Sequence, residues 1–342
     1  MKKIAFAWGG TWWHITPLVS IKNKLWSWEF EYFWIWEDSS LEQKISNENS
    51  IRFYSIKAWK LRRYFSLKTF IEPFNIIRWI KESIKILKNE KPDLIFSKWW
   101  YVSLPVAIAA KFLWIRLFMH ESDTIPWLAN RIVWRFASRI YLWFASASKY
   151  FDKWKTKVVW QILNPILFSE KETSVTNHKT NLLVIAWSQW STRIFKMILD
   201  NIDKFSDFNM YIVLWSLNAY LKTEFDKFQN ISSYEFINQS ELSKLMQIAD
   251  IAITRAWATS LAELDAFWIK QIIIPLKESA NNHQFFNALD YKANNEAEMI
   301  IEEKLWYIPH MLKNYINFKK KPKINKIINA LDVISDDIKS IN

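Results

Sequence analysis

The chain has 342 residues and is basic, with 46 Lys and Arg against 34 Asp and Glu and a formal net charge of +12. Its length exceeds the roughly 250–300 residues that a single hydrophobic core organises, so two domains are expected. The absence of Cys excludes disulfides and thiolate metal sites and fits a reducing cytoplasm. The positive charge suits an anionic partner, whether a nucleic acid, nucleotide phosphates or an anionic membrane surface.

The most unusual feature of the composition is 23 Trp against 2 Gly. Soluble proteins contain about 7% Gly, and the two counts together come close to that share. Trp12, Trp13, Trp187, Trp190 and Trp257 stand where turns would need glycine, which alone combines positive φ with close backbone approach. We therefore predict that most Trp letters are UGA codons from a lineage that decodes UGA as glycine. A truly Trp-rich protein is the alternative.

Seven short apolar segments, each followed by a turn and a helical pattern, are predicted to be β-strands: Lys3–Ala7, Leu94–Phe96, Leu117–Met119, Leu182–Ala186, Met210–Leu214, Ile251–Ile253 and Ile272–Ile274. This alternation predicts an α/β fold with βαβ units and parallel sheets. The strand-turn-helix pattern of residues 3–25 recurs at 182–199, which predicts two Rossmann-like domains, 1–164 and 165–323. The polar stretch from Ser169 to Thr180 is interpreted as the linker. No segment is expected to span a bilayer.

Three motifs belong to the first domain. With Trp taken as Gly, residues 9–17 become GGTGGHITP, a loop that aims backbone N–H groups and a helix N-terminus at a phosphate; a simple tight turn is the alternative. Residues 97–103 become SKGGYVS. His120 to Asp123, with 126–130, follow the predicted strand Leu117–Met119, where ligands of open α/β sheets bind. The alternative for His120 and Glu121 is a solvated pair or a cap on a loop.

Three further motifs belong to the second domain. Residues 186–191 become AGSQGS, a second glycine loop. Residues 254–263 become a loop that feeds a helix N-terminus, with N–H groups for a diphosphate and Glu263 placed to accept hydrogen bonds from ribose hydroxyls. The alternative for Glu263 is a carboxylate stabilised by the helix dipole. Amides at 282–287 suit the hydroxyls of a sugar.

Neither a metal nor a cofactor is expected. The five His residues are too scattered to form a metal cluster, and no Asp-x-Asp motif stands where a nucleotide-sugar site would need one. Helix N-termini are therefore expected to stabilise a leaving diphosphate. A nucleic-acid partner is not expected either, because no recognised module appears and the charge is spread along the chain.

Together, these six motifs resemble the MurG family of peptidoglycan N-acetylglucosaminyltransferases, in order from residue 3 to about 290. The resemblance implies a GT-B fold, in which two Rossmann-like domains face each other across a cleft and a last helix, about 324–342, returns to the first domain. It implies an inverting hexosyltransferase that moves N-acetylglucosamine from UDP-N-acetylglucosamine to the 4-hydroxyl of the muramyl sugar of lipid I, an undecaprenyl-linked acceptor. Such an enzyme serves cell wall biogenesis, cell shape and cell division as a peripheral protein on the cytoplasmic side of the cell membrane.

The resemblance also assigns residues. His14 is a candidate base or acceptor contact, and Glu121 is the other candidate catalytic residue. The residues implied to bind substrate are Thr11, Trp12, Trp13, Asp123, Asn130, Ser188, Ile237, Ala258, Thr259, Ser260, Leu261, Ala262, Glu263 and Gln284. Of these, Ser188 and the 258–260 segment are implied to hold the diphosphate, and the backbone of Ile237 is implied to bind the uracil. Glu263 is implied to bind the ribose and Gln284 to bind the sugar.

Two departures from the family pattern concern the substrates. Leu167 stands where the family has an Arg that reaches the donor, and Asp123 replaces an Asn. The basic and apolar segment from Lys57 to Lys88 suits an anionic leaflet, with an ordinary amphipathic helix on the core as the alternative. Two other functions stay open: a GT-B transferase for another lipid acceptor, such as diacylglycerol, and a non-catalytic nucleotide-binding protein if the tryptophans are real.

Overall fold

The chain folds into two compact units in the computed structural model, Met1–Asn164 with Ile328–Asn342 and Pro165–Ile327. The structure describes residues 1–7, 12–25, 28–37, 40–56, 72–98, 102–127, 130–169, 179–186, 189–321 and 330–341. Within these residues no helix is both long enough and apolar enough to cross a membrane.

The first unit is built on a seven-stranded parallel sheet in the order β3-β2-β1-β4-β5-β6-β7. Its strands are β1 Lys2–Ala7, β2 Phe30–Trp36, β3 Arg52–Ser55, β4 Leu94–Lys98, β5 Arg116–Glu121, β6 Arg139–Leu142 and β7 Thr156–Val158. Its helices are α1 Trp12–Lys24, α2 Ser40–Glu48, α3 Glu72–Glu90, α4 Ser103–Phe112 and α5 Asn130–Val133. Consecutive residues of β1 are all buried from Ile4 to Ala7, as expected for a parallel sheet covered on both faces.

The second unit contains a six-stranded parallel sheet in the order β10-β9-β8-β11-β12-β13. Its strands are β8 Thr180–Ile185, β9 Phe208–Val213, β10 Ile231–Tyr234, β11 Ile251–Thr254, β12 Lys270–Ile273 and β13 Ala297–Met299. Its helices are α6 Thr192–Leu199, α7 Lys222–Phe225, α8 Gln239–Ile248, α9 Ala258–Ala266, α10 His283–Asn294 and α11 Ile308–Leu312.

The last helix, α12 Ala330–Lys339, belongs to the first unit. Its apolar residues Ile334 and Ile338 are buried in the core of that unit. Asp337 on the same helix accepts the hydroxyl of Tyr141, at 2.9 Å. The helix is thereby held to the first unit by apolar packing in its core and by a hydrogen bond to β6.

The predicted α/β fold class with two parallel sheets of GT-B type is confirmed. All seven predicted strands are present, with ends within two residues of the expected ones. Six strands were not predicted: β2, β3, β6, β7, β10 and β13. Several of these are short edge strands with partly exposed residues, which carry a weak apolar signal. The interpretation of Thr180 as linker is wrong, because this residue begins β8.

Two of the tryptophans that the structure describes have a left-handed backbone conformation, Trp114 with φ 58° and Trp268 with φ 58°. Trp114 follows α4, where the N–H of Ile115 donates to Ala110 O at 3.0 Å and the N–H of Trp114 to Lys111 O at 3.3 Å. The same pair of bonds closes α9 before Trp268. This is the Schellman pattern, whose left-handed position is usually glycine, and a bulky residue there is an outlier.

The tryptophans that the sequence placed in glycine turns behave differently. Trp257 has φ −72° and Trp190 does not have positive φ, so for these two the argument from positive φ is wrong. Trp12 and Trp13 lie in the first turn of α1 rather than in the preceding turn. Residues 99, 100 and 187 lie outside the described residues. The recoding of UGA stays a prediction, with Trp114 and Trp268 as its informative positions.

Replacing Trp114 with Gly is expected to stabilise the protein by about 1 kcal/mol relative to Trp114→Ala, because a left-handed residue with a Cβ costs about 1–2 kcal/mol. The Ala variant is the matched control, since both variants lose the same contact between the Trp114 ring and Lys111. Urea unfolding measures the difference. Equal stability of the two variants would contradict the need for glycine at position 114. Peptide mass spectrometry of protein from the natural host tests the recoding, and a Trp mass at position 114 would contradict it.

Candidate functional site

The carboxyl edge of the first sheet contains a buried polar cluster. Lys98 ends β4 and lies in register with His120 of β5. The Nζ of Lys98 donates to Oε1 of Gln161 at 3.5 Å, and the hydroxyl of Ser122 donates to the same oxygen at 3.2 Å. The Ser122 hydroxyl also lies 3.4 Å from Nδ1 of His120. Burial, together with the charge of Lys98, holds the pKa of His120 well below its ordinary value, so its imidazole is neutral.

The sequence suggested that His120 and Glu121 lie on a loop, but in the structure they lie on β5. The strand predicted over Leu117–Met119 continues to Glu121, and both side chains are fully buried. The interpretation as a solvated pair on a loop is therefore wrong. The strand is longer because His120 and Glu121 pair in register with Tyr141 and Leu142 of β6.

Glu121 holds the turn that follows β5. Its Oε1 accepts the N–H of Asp123 at 3.0 Å, and its Oε2 accepts from Nδ2 of Asn130 at 2.6 Å. Asp123 in turn accepts the indole N–H of Trp127 at 3.1 Å. Burial, and secondarily the carboxylate of Asp123, raise the pKa of Glu121 to about 8. A carboxyl that is protonated at neutral pH is a poor general base, so the contacts favour a positioning role for Glu121.

The first glycine-rich motif is only partly described. Thr11 lies outside the described residues, while the backbones of Trp12, Trp13 and His14 form the first turn of α1. This helix follows β1, the strand between β2 and β4. The backbone of His14 is therefore at the carboxyl edge of the first sheet. Its role as base or acceptor contact stays a prediction.

In the second unit, α9 begins at Ala258, directly after the loop that leaves β11. Its first helical bond runs from the N–H of Leu261 to Trp257 O at 3.0 Å. The N–H groups of the first turn point out of the helix N-terminus, where the helix dipole favours an anion. The predicted segment from Ala258 to Ala262 therefore forms the first five residues of one helix.

Glu263 is the sixth residue of α9 and is buried, with 2% of its surface exposed. Its Oε1 accepts from Nε2 of Gln239, the first residue of α8, at 3.1 Å. The dipole effect falls off within the first helical turn, so it does not explain a carboxylate at this position. The contact with Gln239 instead orients the carboxylate between two helices.

Gln284 joins two loops at the carboxyl edge of the second sheet. Its Oε1 accepts the N–H of Ala256 at 3.3 Å and that of Leu276 at 3.0 Å. Its side chain is fully buried, and among the described residues its Nε2 has no hydrogen-bond partner. The amide oxygen is thus committed to the backbone, and the amide N–H₂ group is left as a donor.

The other residues that the sequence related to the donor substrate have different surroundings. Ile237 is buried and precedes Asn238, which caps α8 by accepting the N–H of Glu241 at 2.9 Å. Leu167, at the position of the family Arg, has a fully buried side chain, and its carbonyl accepts the hydroxyl of Ser243. Ser188 lies outside the described residues.

Sequence reasoning missed two groups of residues. Gln161 was given no role, although it joins Lys98 to Ser122. Arg255 was quoted in a motif without a role, yet it is fully buried and its Nη2 lies 2.6 Å from Oε1 of Glu302. Both contacts join segments that are distant in the sequence, so no local pattern could have revealed them.

These loops lie at the carboxyl ends of two parallel Rossmann-like sheets, which defines an α/β protein of the GT-B class. Residues 4–142 match the glycosyltransferase family 28 N-terminal domain, and residues 188–331 match the glycosyltransferase family 28 C-terminal domain. The chain belongs to glycosyltransferase family 28.

Relatives of similar length share about a third of the residues. A protein of Clostridium botulinum is 31% identical over 98% of this chain and 99% of its own, and one of Clostridium perfringens is 33% identical over 98% of both. Both are named UDP-N-acetylglucosamine–N-acetylmuramyl-(pentapeptide) pyrophosphoryl-undecaprenol N-acetylglucosamine transferase.

Solved structures share the fold at lower identity. MurG of Acinetobacter baumannii matches with a TM-score of 0.75 at 17% identity, covering 99% of each chain. UDP-GlcNAc 2-epimerase from Neisseria meningitidis, bound to UDP-GlcNAc, matches with a TM-score of 0.71 at 12% identity over 99% of this chain and 100% of its own.

We predict that Glu121→Gln keeps transferase activity within about tenfold of wild type, because the amide is neutral, as the protonated carboxyl is, and its oxygen can still accept the N–H of Asp123. Loss of a general base would instead cost roughly 10²–10⁴. The wild-type carboxyl remains protonated in the folded state up to a pKa of about 8, whereas in the unfolded chain it ionises from the ordinary value of 4.5. The protonated carboxyl of Glu121 therefore contributes to the free energy of unfolding below pH 4.5, and this contribution is lost as the pH rises to about 8.

Urea unfolding at pH 5 and pH 8 checks this assignment. The wild type is expected to lose more stability between the two pH values than Glu121→Gln does. A Gln variant that folds normally but turns over more than a hundredfold more slowly would mean that an ionised carboxylate is required.

Proposed function

We propose that the protein transfers N-acetylglucosamine from UDP-N-acetylglucosamine to the 4-hydroxyl of the muramyl sugar of lipid I, with inversion at the sugar, to give lipid II. The observation that carries this proposal is similarity over nearly the whole chain to relatives with that name. The predicted motifs support it, because in their described parts they lie at the carboxyl edges of both parallel sheets.

The second unit is proposed to hold the donor. The first turn of α9, from Ala258 to Ser260, offers N–H groups and a positive dipole end to the diphosphate. Glu263 is proposed to accept from ribose hydroxyls, and the Nε2 of Gln284, which is buried without a partner among the described residues, is proposed to donate to a sugar hydroxyl. The same helix end stabilises the negative charge that develops on UDP as the glycosidic bond breaks.

The first unit is proposed to hold the acceptor. His14 lies in the first turn of α1, at the carboxyl edge of the sheet, and an imidazole has a suitable pKa to take the proton of the attacking 4-hydroxyl. Asp123 and Asn130 lie on the turn that Glu121 holds. The acceptor hydroxyl attacks the anomeric carbon as the bond to the UDP oxygen breaks, which inverts that carbon in a single displacement.

The lipid acceptor requires access to a membrane surface, and α3 offers a basic face to an anionic leaflet as a peripheral contact. Trp79, Ser83 and Leu87 face the core, so the amphipathic-helix alternative holds for the described part of the segment. The outward face of α3 is basic, with exposed side chains at Arg78, Lys81, Lys85 and Lys88. Residues 57–71, which include much of the predicted membrane segment, lie outside the described residues.

Turnover of UDP-N-acetylglucosamine with lipid I and with diacylglycerol tests the proposed function, using protein made with glycine at the UGA positions. Transfer to lipid I alone is expected. In the same assay His14→Ala is expected to be slower by about tenfold or more, since base catalysis contributes roughly 10²–10⁴. Transfer to diacylglycerol alone supports the other lipid acceptor, binding without any transfer supports the non-catalytic alternative, and unchanged turnover removes His14 from the mechanism.

Flotation with vesicles of anionic phospholipid tests the membrane contact. Each basic residue near such a surface contributes about 1 kcal/mol, so reversing three of them is expected to weaken binding by about a hundredfold or more. The test variant combines Lys81→Glu, Lys85→Glu and Lys88→Glu. The control variant has the same net charge but carries its exposed changes on the second unit, Lys227→Glu, Lys304→Glu and Lys313→Glu. Equal loss in both variants would show a general charge effect and contradict the α3 assignment.

A further inference from the structure

Arg255 is a fully buried cation in the loop between β11 and α9. Removing a guanidinium from water is costly unless its donors and its charge are matched. Burial is also the dominant influence on its pKa, which lies below the ordinary value. The partners of this side chain therefore decide what it does.

Three separate segments of the second unit meet at the Arg255 guanidinium. Its Nη1 donates to Ile274 O, just after β12, at 3.2 Å, and its Nη2 donates to Trp190 O, in the turn after β8, at 2.8 Å. Nη2 also pairs with Oε1 of Glu302, in the segment after β13, at 2.6 Å. A planar guanidinium can serve several acceptors in a fixed geometry. The Trp190 contact uses the main chain, so glycine at that position would make it equally.

A second arginine completes the charge balance. Glu302, of which 5% of the side chain is exposed, also pairs with Arg193 of α6. Arg193 in turn binds Oε1 of Glu278 through its Nη2, at 2.5 Å. Two cations and two carboxylates thus alternate from the interior to the surface. Glu302 is the shared anion that compensates the buried charge of Arg255.

The joined segments include both loops proposed to face the donor diphosphate. Trp190 belongs to the motif at 186–191, and Arg255 itself precedes the first turn of α9. The neighbouring residue Ala256 is held by Gln284 from the other side. We propose that Arg255 is a positioning residue that fixes these two phosphate-facing loops relative to each other, with Glu302 as its counter-charge. This proposal rests on the proposed donor site, although Arg255 itself does not contact the donor.

Arg255→Lys tests the proposal, because lysine keeps the positive charge but cannot reproduce the planar set of donors. The variant is expected to bind UDP about tenfold more weakly in calorimetry, which corresponds to about one lost hydrogen bond. The KM for UDP-N-acetylglucosamine is expected to rise by a similar factor, with kcat at saturating donor within about threefold of wild type. Arg52→Lys, at an ion-paired arginine in the first unit, is the matched control and is expected to bind UDP as wild type does.

Glu302→Gln is the second variant, since it keeps the shape of the side chain and removes the counter-charge. It is also expected to weaken UDP binding, by about fivefold or more. UDP affinity within twofold of wild type in whichever variant folds overturns the proposal. Failure of both variants to fold assigns the pair to stability and overturns it as well. UDP binding needs no acceptor, so a wild type that binds UDP without transferring sugar to lipid I would refute the proposed function and leave this test intact.

Discussion

The site depends on one constraint of parallel sheets: every strand ends at the same edge, and the polar groups gathered there must find partners. In both units, backbone N–H groups of the loops that leave that edge donate to side chains buried beneath them. Glu121 accepts the N–H of Asp123, and Gln284 accepts two backbone N–H groups from two different loops. Burying a polar group without a hydrogen-bond partner costs free energy. The loops must therefore adopt a shape in which their backbone groups reach these side chains. The loops proposed to meet substrate are shaped by the side chains beneath them.

The two units solve the problem of buried charge differently. In the first unit burial favours the neutral forms of His120 and Glu121, so that His120 loses its proton and Glu121 keeps one, beside the buried charge of Lys98. In the second unit the charges are kept and paired, through Arg255 and Glu302. A paired network of two cations and two carboxylates has no net charge, so we assign the proposed attraction for an anionic diphosphate to the α9 N-terminus. In this proposal Arg255 positions the loops and the helix supplies the favourable electrostatics.

The sequence was sufficient to predict the general features of the fold. It was not sufficient to predict the tertiary contacts between segments that are distant along the chain. Apolar strands followed by turn motifs predicted seven strands and two parallel sheets, because each βαβ unit is local in sequence. The extension of β5 through His120 and Glu121 depends on pairing with β6, which was not predicted, so two buried residues were expected on a loop. Glu302 lies beyond the motifs altogether, and its pairing with Arg255 follows only from the order of strands β11, β12 and β13. Local patterns predicted the candidate loops, and the tertiary structure shows which contacts hold them.

The tryptophan positions differ in whether the backbone conformation favours glycine or suits any residue. At Trp114 and Trp268 the hydrogen bonds that end α4 and α9 require a left-handed residue whatever its side chain, so the backbone itself favours glycine there. At Trp190 the carbonyl group alone takes part, through Arg255. At Trp257 the negative φ suits any residue, and glycine would be required only if the donor must approach the backbone closely. The hydrogen bond from Arg255 to the carbonyl of residue 190 is therefore the same for Trp and for Gly, whereas the space beside the N-terminus of α9 depends on which residue stands at 257.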